Sequence, residues 1–100
     1  MVASWYEARQ FVVVDRNWRC RLGELDLVLM RDGVVVFCEV KARRTSAFGT
    51  GAEAVGAAKR RRLRRLAAEW LAASPHEPLD VRFDVAAVDG TTVTVIENAF

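Results

Sequence analysis

The sequence of 100 residues has little of what marks several common protein classes. Its two cysteines, Cys20 and Cys38, are too few for a disulfide scaffold, so we expect both to be reduced in a cytoplasmic protein. The single histidine, His76, has no metal-ligand spacing around it and is expected at the surface. No apolar run approaches the roughly 20 residues of a membrane span. Glu7 and Arg9 stand where a secretion signal needs an apolar core, so we expect no membrane association.

The composition predicts one folded domain over residues 1–100. Hydrophobic residues make up 52% of the chain and charged residues 28%, which is typical of a globular protein. The formal net charge is only +2, but six of the 15 basic residues lie between Lys59 and Arg65. Such a run is either a solvated helix face or a surface that binds phosphates with salt-dependent affinity. The absence of acids within the run favours nucleic acid.

The clearest local pattern is a predicted β-hairpin around Asp32-Gly33. Apolar runs over 25–30 and 34–40 flank this dipeptide, and Asp-Gly between such runs is a strong hairpin signal. With Asp32-Gly33 as a two-residue turn, Arg31 lies opposite Val34, and the rest of the register follows. A slip of one residue would turn apolar side chains out of the core, so we expect this register to hold.

The predicted register gathers four polar side chains at the open end of the hairpin. Asp26 falls opposite Glu39 and Glu24 opposite Lys41, and strand alternation places all four on one face. Like charges directly opposite one another destabilise a sheet. One interpretation is a buried Glu24–Lys41 ion pair, with Asp26 and Glu39 at a solvent-exposed end of the sheet. The other is a site for a hard divalent cation bound by oxygens, and the in-register pattern favours it.

The remaining patterns predict an α/β domain in the order helix-strand-strand-strand-helix-strand-strand. The predicted elements are a helix over 1–9, strands over 12–20, 24–30 and 34–42, a helix over 51–73, and strands over 79–88 and 92–96. Thr50 and Glu53 fit a capping box at the start of the long helix. The third and fourth strands flank this helix and should be parallel, in a mixed sheet with helices on both faces.

The long helix has an apolar stripe that is interrupted by one lysine. The stripe consists of Val55, Leu63, Leu66 and Trp70. Lys59 falls within it, and its side chain either reaches the acids of the hairpin or extends along the helix edge to water. Both interpretations of Lys59 stay open at this point.

Two acids and a lysine around an oxygen-ligand metal site suit phosphodiester hydrolysis. We predict Asp26 and Glu39 as ligands of Mg²⁺ or Mn²⁺, and Lys41 as a catalytic amine that stabilises charge or takes a proton. Glu24 is either a further ligand or the ion partner of Lys41. The predicted phosphate contacts are Arg43, Arg44, Lys59, Arg60, Arg61 and Arg64. Asn17 and Asp84 are ambiguous, with structural roles favoured.

The order Glu24-x-Asp26, hairpin, Glu39-x-Lys41, helix resembles the PD-(D/E)xK nuclease superfamily, which includes restriction endonucleases and archaeal Holliday-junction resolvases. More narrowly, the chain is similar to the UPF0102 (YraN-like) family of small bacterial proteins. The matching stretches lie at 16–19, 23–27, 36–43, 59, 82–85 and 98–100. The resemblance implies a restriction-endonuclease-like three-layer sandwich and a nucleic-acid partner, with DNA favoured over RNA. A resolvase-like role would also imply a homodimer.

One departure from the family pattern bears on the function. Family members usually begin earlier, with a Gly-Glu at the front of the first helix, and this Glu would fall just before Met1. Either the first helix is shortened at its N-terminus, or Glu24 must complete the site. The first hypothesis is therefore a Mg²⁺- or Mn²⁺-dependent endonuclease acting on branched or structured nucleic acid. The alternative is a catalytically inactive nucleic-acid-binding module of the same fold. An adaptor that uses a sheet edge over 92–96 has the least support.

Overall fold

The structure, a computed structural model, describes residues 1–42 and 56–100. Within these ranges the chain forms helices and strands in the order α1, β1, β2, β3, α2, β4, β5. Their bounds are α1 Val2–Glu7, β1 Val12–Cys20, β2 Gly23–Arg31, β3 Val34–Ala42, α2 Ala57–Ala73, β4 Asp80–Asp89 and β5 Thr92–Ile96. The predicted α/β class is confirmed.

The strands form one mixed sheet in the order β1-β2-β3-β4-β5. Neighbouring strands are antiparallel except for β3 and β4, which are parallel. Parallel neighbours need a crossover connection, and α2 lies in the connection between these two strands. The prediction of a mixed sheet with a parallel third and fourth strand is confirmed.

The two helices pack on opposite faces of the sheet. The cluster under α1 includes Val2 and Tyr6 together with Leu29 of β2. The cluster under α2 includes Leu66 and Trp70, with the Trp70 ring packed edge-on against Phe37 of β3. The central strands are nearly continuously apolar because side chains on both of their faces are buried. The prediction that helices cover both faces is confirmed.

The long helix begins later than the sequence predicts. Gly56 is extended (ψ 171°) and α2 begins at Ala57, whereas the prediction started the helix at residue 51. A glycine inside a helix costs about 1 kcal/mol relative to alanine, so Gly56 is a natural point for the helix to begin. The predicted end is confirmed, because Ser74 before Pro75 is already extended. The capping-box residues and Val55 lie outside the described residues.

The first helix is shorter than predicted, ending at Glu7 rather than at residue 9. The chain leaves it through Gln10, which adopts a left-handed conformation with φ 72°. The Tyr6 ring is fully buried beneath the helix and meets the Phe11 ring edge-on. Trp5 is only partly buried, and the Arg9 guanidinium lies over its ring at 3.6 Å.

Asp84 on β4 is a fully buried carboxylate that links three parts of the chain. Its Oδ2 accepts the Tyr6 hydroxyl at 2.6 Å and Nη2 of Arg82 at 2.9 Å. Its Oδ1 accepts Nε of Arg82 and the backbone N–H of Asn98, both at 2.9 Å. Burial, together with nearby Cys38 and Asp84, raises the pKa of the Tyr6 hydroxyl. Asp84 therefore has a structural role: it ties α1 and the segment after β5 to the sheet.

Other sequence predictions concern the cysteines, the histidine and the membrane. Both cysteines are free thiols, and burial raises the pKa of Cys38 to about 12. His76 is exposed, as predicted, and its ring stacks on Trp70. No helix within residues 1–42 and 56–100 has the length and apolar character to cross a membrane. The cytoplasmic location and the single-domain organisation stay predictions.

Candidate active site

The β2–β3 hairpin has the turn and the register that the sequence predicts. Asp32 and Gly33 have φ of 50° and 80°, and positive φ at both central residues is the signature of a type I′ turn. The ladder follows the predicted register for five pairs, from Arg31↔Val34 to Leu27↔Cys38. It ends there, just before the acidic end of the hairpin.

Beyond the end of the ladder, the Asp26 carboxylate accepts a hydrogen bond from the backbone of β3. Its Oδ2 accepts the backbone N–H of Val40 at 2.9 Å, where continuing the register would bring Leu25 opposite Val40. Asp26 borders a cleft of about 560 Å³ on the α1 side of the sheet and one of about 240 Å³ on the α2 side. The α2-side cleft is lined by Glu24, Asp26 and Glu39, three of the four residues predicted to share one face, and Asp26 also borders the α1-side cleft.

Glu39 forms an ion pair with a lysine of α2. Nζ of Lys59 lies 3.0 Å from Oε1 of Glu39, and the Glu39 side chain is only 11% exposed. An ion pair in so little solvent is screened less than a surface pair, so Lys59 offsets part of the Glu39 charge. The structure thus shows Lys59 reaching the acids rather than extending along the helix edge.

Lys41 lies beside Lys59. The contact between the two side chains lowers the pKa of Lys41 and raises that of Lys59. Burial and the Lys59 charge lower the pKa of Lys41 further, while Glu39 supports the protonated form of Lys59. Lys59 therefore holds its proton, and Lys41 is the amine that releases one more readily.

Glu24 forms an ion pair with β1. Its Oε2 lies 2.6 Å from Nε of Arg19, and within the described residues it makes no ion pair with Lys41. The interpretation of a buried Glu24–Lys41 pair is therefore wrong. Glu24 still lines the α2-side cleft together with Asp26 and Glu39.

The site concentrates negative charge where solvation is poor. Burial raises the pKa of Asp26, the Val40 hydrogen bond opposes this, and the neighbouring Glu39 and Glu24 raise it again. Among residues 1–42 and 56–100, no three acidic, histidine or cysteine side chains lie close enough to hold a metal ion together. The arrangement is thus two central carboxylates, Asp26 and Glu39, with a lysine pair on one side.

The predicted phosphate contacts on α2 have different surroundings. The guanidinium of Arg60 lies 5.5 Å from the centre of the Phe100 ring, and that of Arg64 lies 5.4 Å from the same ring. Arg61 is exposed on the outer side of the helix. Arg60 and Arg64 therefore pack against the C-terminal residue, whereas Arg61 faces solvent. The other two predicted contacts, Arg43 and Arg44, lie outside the described residues.

Three residues outside the predicted set of ligands, catalytic groups and phosphate contacts also line the clefts. Arg16 and Asn17 line the α1-side cleft, and Arg62 lines the α2-side cleft. Arg62 follows Lys59 by three positions, so helical spacing alone places it on the same face. Arg16 and Asn17 precede the hairpin by a whole strand, and only the β1–β2 register brings them beside Asp26.

Comparison with known proteins places the chain in a family. The family model described as "Uncharacterised protein family UPF0102" matches residues 1–88. A UPF0102 protein of Frankia alni is 64% identical over 77 residues, which cover 76% of this chain and 63% of that protein. One of Beutenbergia cavernae is 54% identical over 88 residues, covering 88% of this chain and 75% of the relative. A UPF0102 protein of Symbiobacterium thermophilum is 47% identical over 103 aligned positions, which cover 98% of this chain and 87% of that protein. The matches to the three Frankia and Parafrankia relatives span only 63–64% of those proteins. The chain belongs to the UPF0102 family.

Proposed function

We propose that this protein is a metal-dependent nuclease that hydrolyses phosphodiester bonds in branched or structured nucleic acid. The observation that carries the proposal is the meeting of the Asp26 and Glu39 carboxylates with Lys41 and Lys59 at the open end of the β2–β3 hairpin. The mixed sheet with α1 and α2 on opposite faces is compatible with the restriction-endonuclease-like fold that we propose for it.

The donor set fits Mg²⁺ or Mn²⁺ held by two carboxylates. Mg²⁺ keeps several waters and is commonly bound through one or two carboxylates, so Asp26 and Glu39 suffice while the nearby Glu24 is paired with Arg19. The Val40 N–H engages Oδ2 of Asp26, which leaves Oδ1 of Asp26 and the carboxylate of Glu39 as the proposed ligands. When bound, such an ion supplies a water of lowered pKa and positive charge for the attacked phosphate.

Lys41 is the proposed catalytic amine. The side-chain contact with Lys59, burial and the Lys59 charge all lower the pKa of Lys41. An amine with a lowered pKa is better matched to taking a proton from a nucleophilic water near neutral pH. Lys59, which keeps its proton, neutralises Glu39 and contributes positive charge beside the phosphate.

The proposed ligands are tested by calorimetric titration with Mn²⁺. We expect the wild-type chain to bind Mn²⁺ and the Asp26→Asn/Glu39→Gln variant to lose binding, because amides do not replace the charge of two carboxylates. The matched control is Asp89→Asn/Glu77→Gln, which removes two charges at exposed positions and should bind as the wild type does. Equal binding by both double variants would contradict the proposed site.

The exposed arginines of α2 support a second candidate function, a nucleic-acid-binding module without catalysis. Arg61 and Arg65 face solvent on the outer side of the helix, and each phosphate contact steepens the salt dependence of binding. For duplex DNA, log K falls as log salt rises. We expect Arg61→Gln/Arg65→Gln to make this fall shallower, reducing the magnitude of the slope by about two. Fluorescence anisotropy at several salt concentrations measures this slope.

The control for this experiment removes the same charge from the other face of the molecule. Arg9 and Arg31 pack on aromatic rings at the α1 side, so Arg9→Gln/Arg31→Gln should leave the slope unchanged. A slope that falls equally in both double variants would indicate a general charge effect rather than a binding face on α2.

A further inference from the structure

The alternation of side chains along β1 and β2 breaks at one point. Leu27 lies in the cluster under α1, while Leu25 lies in the cluster under α2. Residues two apart in a regular strand share a face, so the strand reverses its faces at Asp26. The neighbouring strand reverses at the same level: Arg16 lines the α1-side cleft, whereas Trp18 packs in the α2 cluster.

Asn17 lies at the centre of this break. The pairs Arg16↔Leu27 and Trp18↔Leu25 place Asn17 opposite Asp26. Asn17 has φ 49°, a left-handed conformation within a β-strand. Among residues with a side chain beyond hydrogen, asparagine adopts this conformation with the least penalty. The left-handed residue and the reversal of faces therefore coincide.

The reversal decides where the Asp26 carboxylate goes. In a regular strand Asp26 would share the face of Val28 and point into the core under α2. Instead its Oδ2 accepts the Val40 N–H, and Asp26 borders the clefts on both sides of the sheet. β3 shows no such reversal, since Phe37 lies under α2 and Cys38 under α1. Glu39 thus keeps its regular direction, whereas the turn of Asp26 takes its carboxylate out of the regular pattern and onto the Val40 N–H.

We propose that Asn17 is a positioning residue, whose left-handed backbone turns Asp26 out of the strand pattern and onto the backbone N–H of Val40. The placement of Asp26 stands on the geometry alone. Its consequence for metal binding rests on the proposed function.

The test compares Asn17→Gly, which accepts a left-handed backbone, with Asn17→Val, which opposes it. The first readout is hydrogen exchange of the Val40 amide by NMR, which reports the bond to Asp26. We expect exchange at the wild-type rate in Asn17→Gly and about tenfold faster exchange in Asn17→Val. The second readout is the Mn²⁺ dissociation constant, which should rise about 10- to 100-fold in Asn17→Val only. Should Asn17→Val fail to fold, Asn17→Ala gives the same comparison.

Gln10→Val is the matched control, because Gln10 is also left-handed (φ 72°) but lies in the link between α1 and β1. It should leave both readouts at the wild-type value. Wild-type Val40 exchange in Asn17→Val, or equally fast exchange in Asn17→Gly, would overturn the positioning role. If the wild type binds no Mn²⁺, the proposed function fails, while the Val40 exchange rates still decide the role of Asn17.

Discussion

Replacing Asp84 with alanine is expected to lower the free energy of unfolding by about 3–5 kcal/mol, the usual cost of removing one partner of a buried charged pair. The carboxylate accepts hydrogen bonds from Tyr6, Arg82 and the backbone of Asn98. Its loss leaves the Arg82 guanidinium, whose side chain is only 20% exposed, without this partner. It also leaves the buried Tyr6 hydroxyl without its acceptor.

Urea denaturation followed by circular dichroism measures this loss. Asp89→Ala is the control, because Asp89 is exposed at the end of the same strand, and its change should stay within about 0.5 kcal/mol. A loss below about 1 kcal/mol in Asp84→Ala would contradict the structural role of the network.

Replacing Lys41 with methionine is expected to slow cleavage by about 10²–10⁴-fold, the typical contribution of a positioned proton-transfer group. The Asp26 and Glu39 carboxylates remain, so Mn²⁺ binding should persist. Single-turnover cleavage of a nucleic acid that the wild type hydrolyses measures the rate, and calorimetry measures the metal.

Two comparisons make the Lys41 result specific. Lys41→Arg keeps the positive charge but does not give up a proton, so recovery of the rate there would assign Lys41 to charge stabilisation. Equal residual cleavage in Lys41→Met and Asp26→Asn would identify a contaminating nuclease. Wild-type cleavage by pure Lys41→Met would contradict the catalytic role of this lysine.

The hairpin was predictable because its determinants are local. Asp32-Gly33 sets the turn, the turn sets the register, and the observed pairs from Arg31↔Val34 onward agree with it. The bounds of β1, β3 and β5 agree with the prediction for the same reason, since alternation and turn residues lie next to each other in the chain. The start of α2 was mispredicted because Gly56 is extended, so that the helix begins at Ala57.

The direction of individual site side chains could not be read from the hairpin alone. Strand alternation predicts that Asp26 shares a face with Glu39, but the left-handed Asn17, a strand away, coincides with a reversal of that alternation. The register placed Glu24 opposite Lys41 and left it as either a metal ligand or the ion partner of Lys41, whereas in the structure it pairs with Arg19 of β1 at 2.6 Å. In each case a neighbouring strand decided the outcome.

The sequence by itself determined the class of the fold, the hairpin, the apolar stripe of α2 and the presence of an acid-x-acid and acid-x-lysine pair at one end. These follow from periods of two and 3.6 residues and from turn chemistry, which act over a few positions. Only the tertiary structure decided that Lys59 neutralises Glu39 and that Tyr6 binds Asp84, 78 residues away. Such contacts depend on how the helices pack across the sheet, and no local period encodes which distant side chain arrives to satisfy a buried charge.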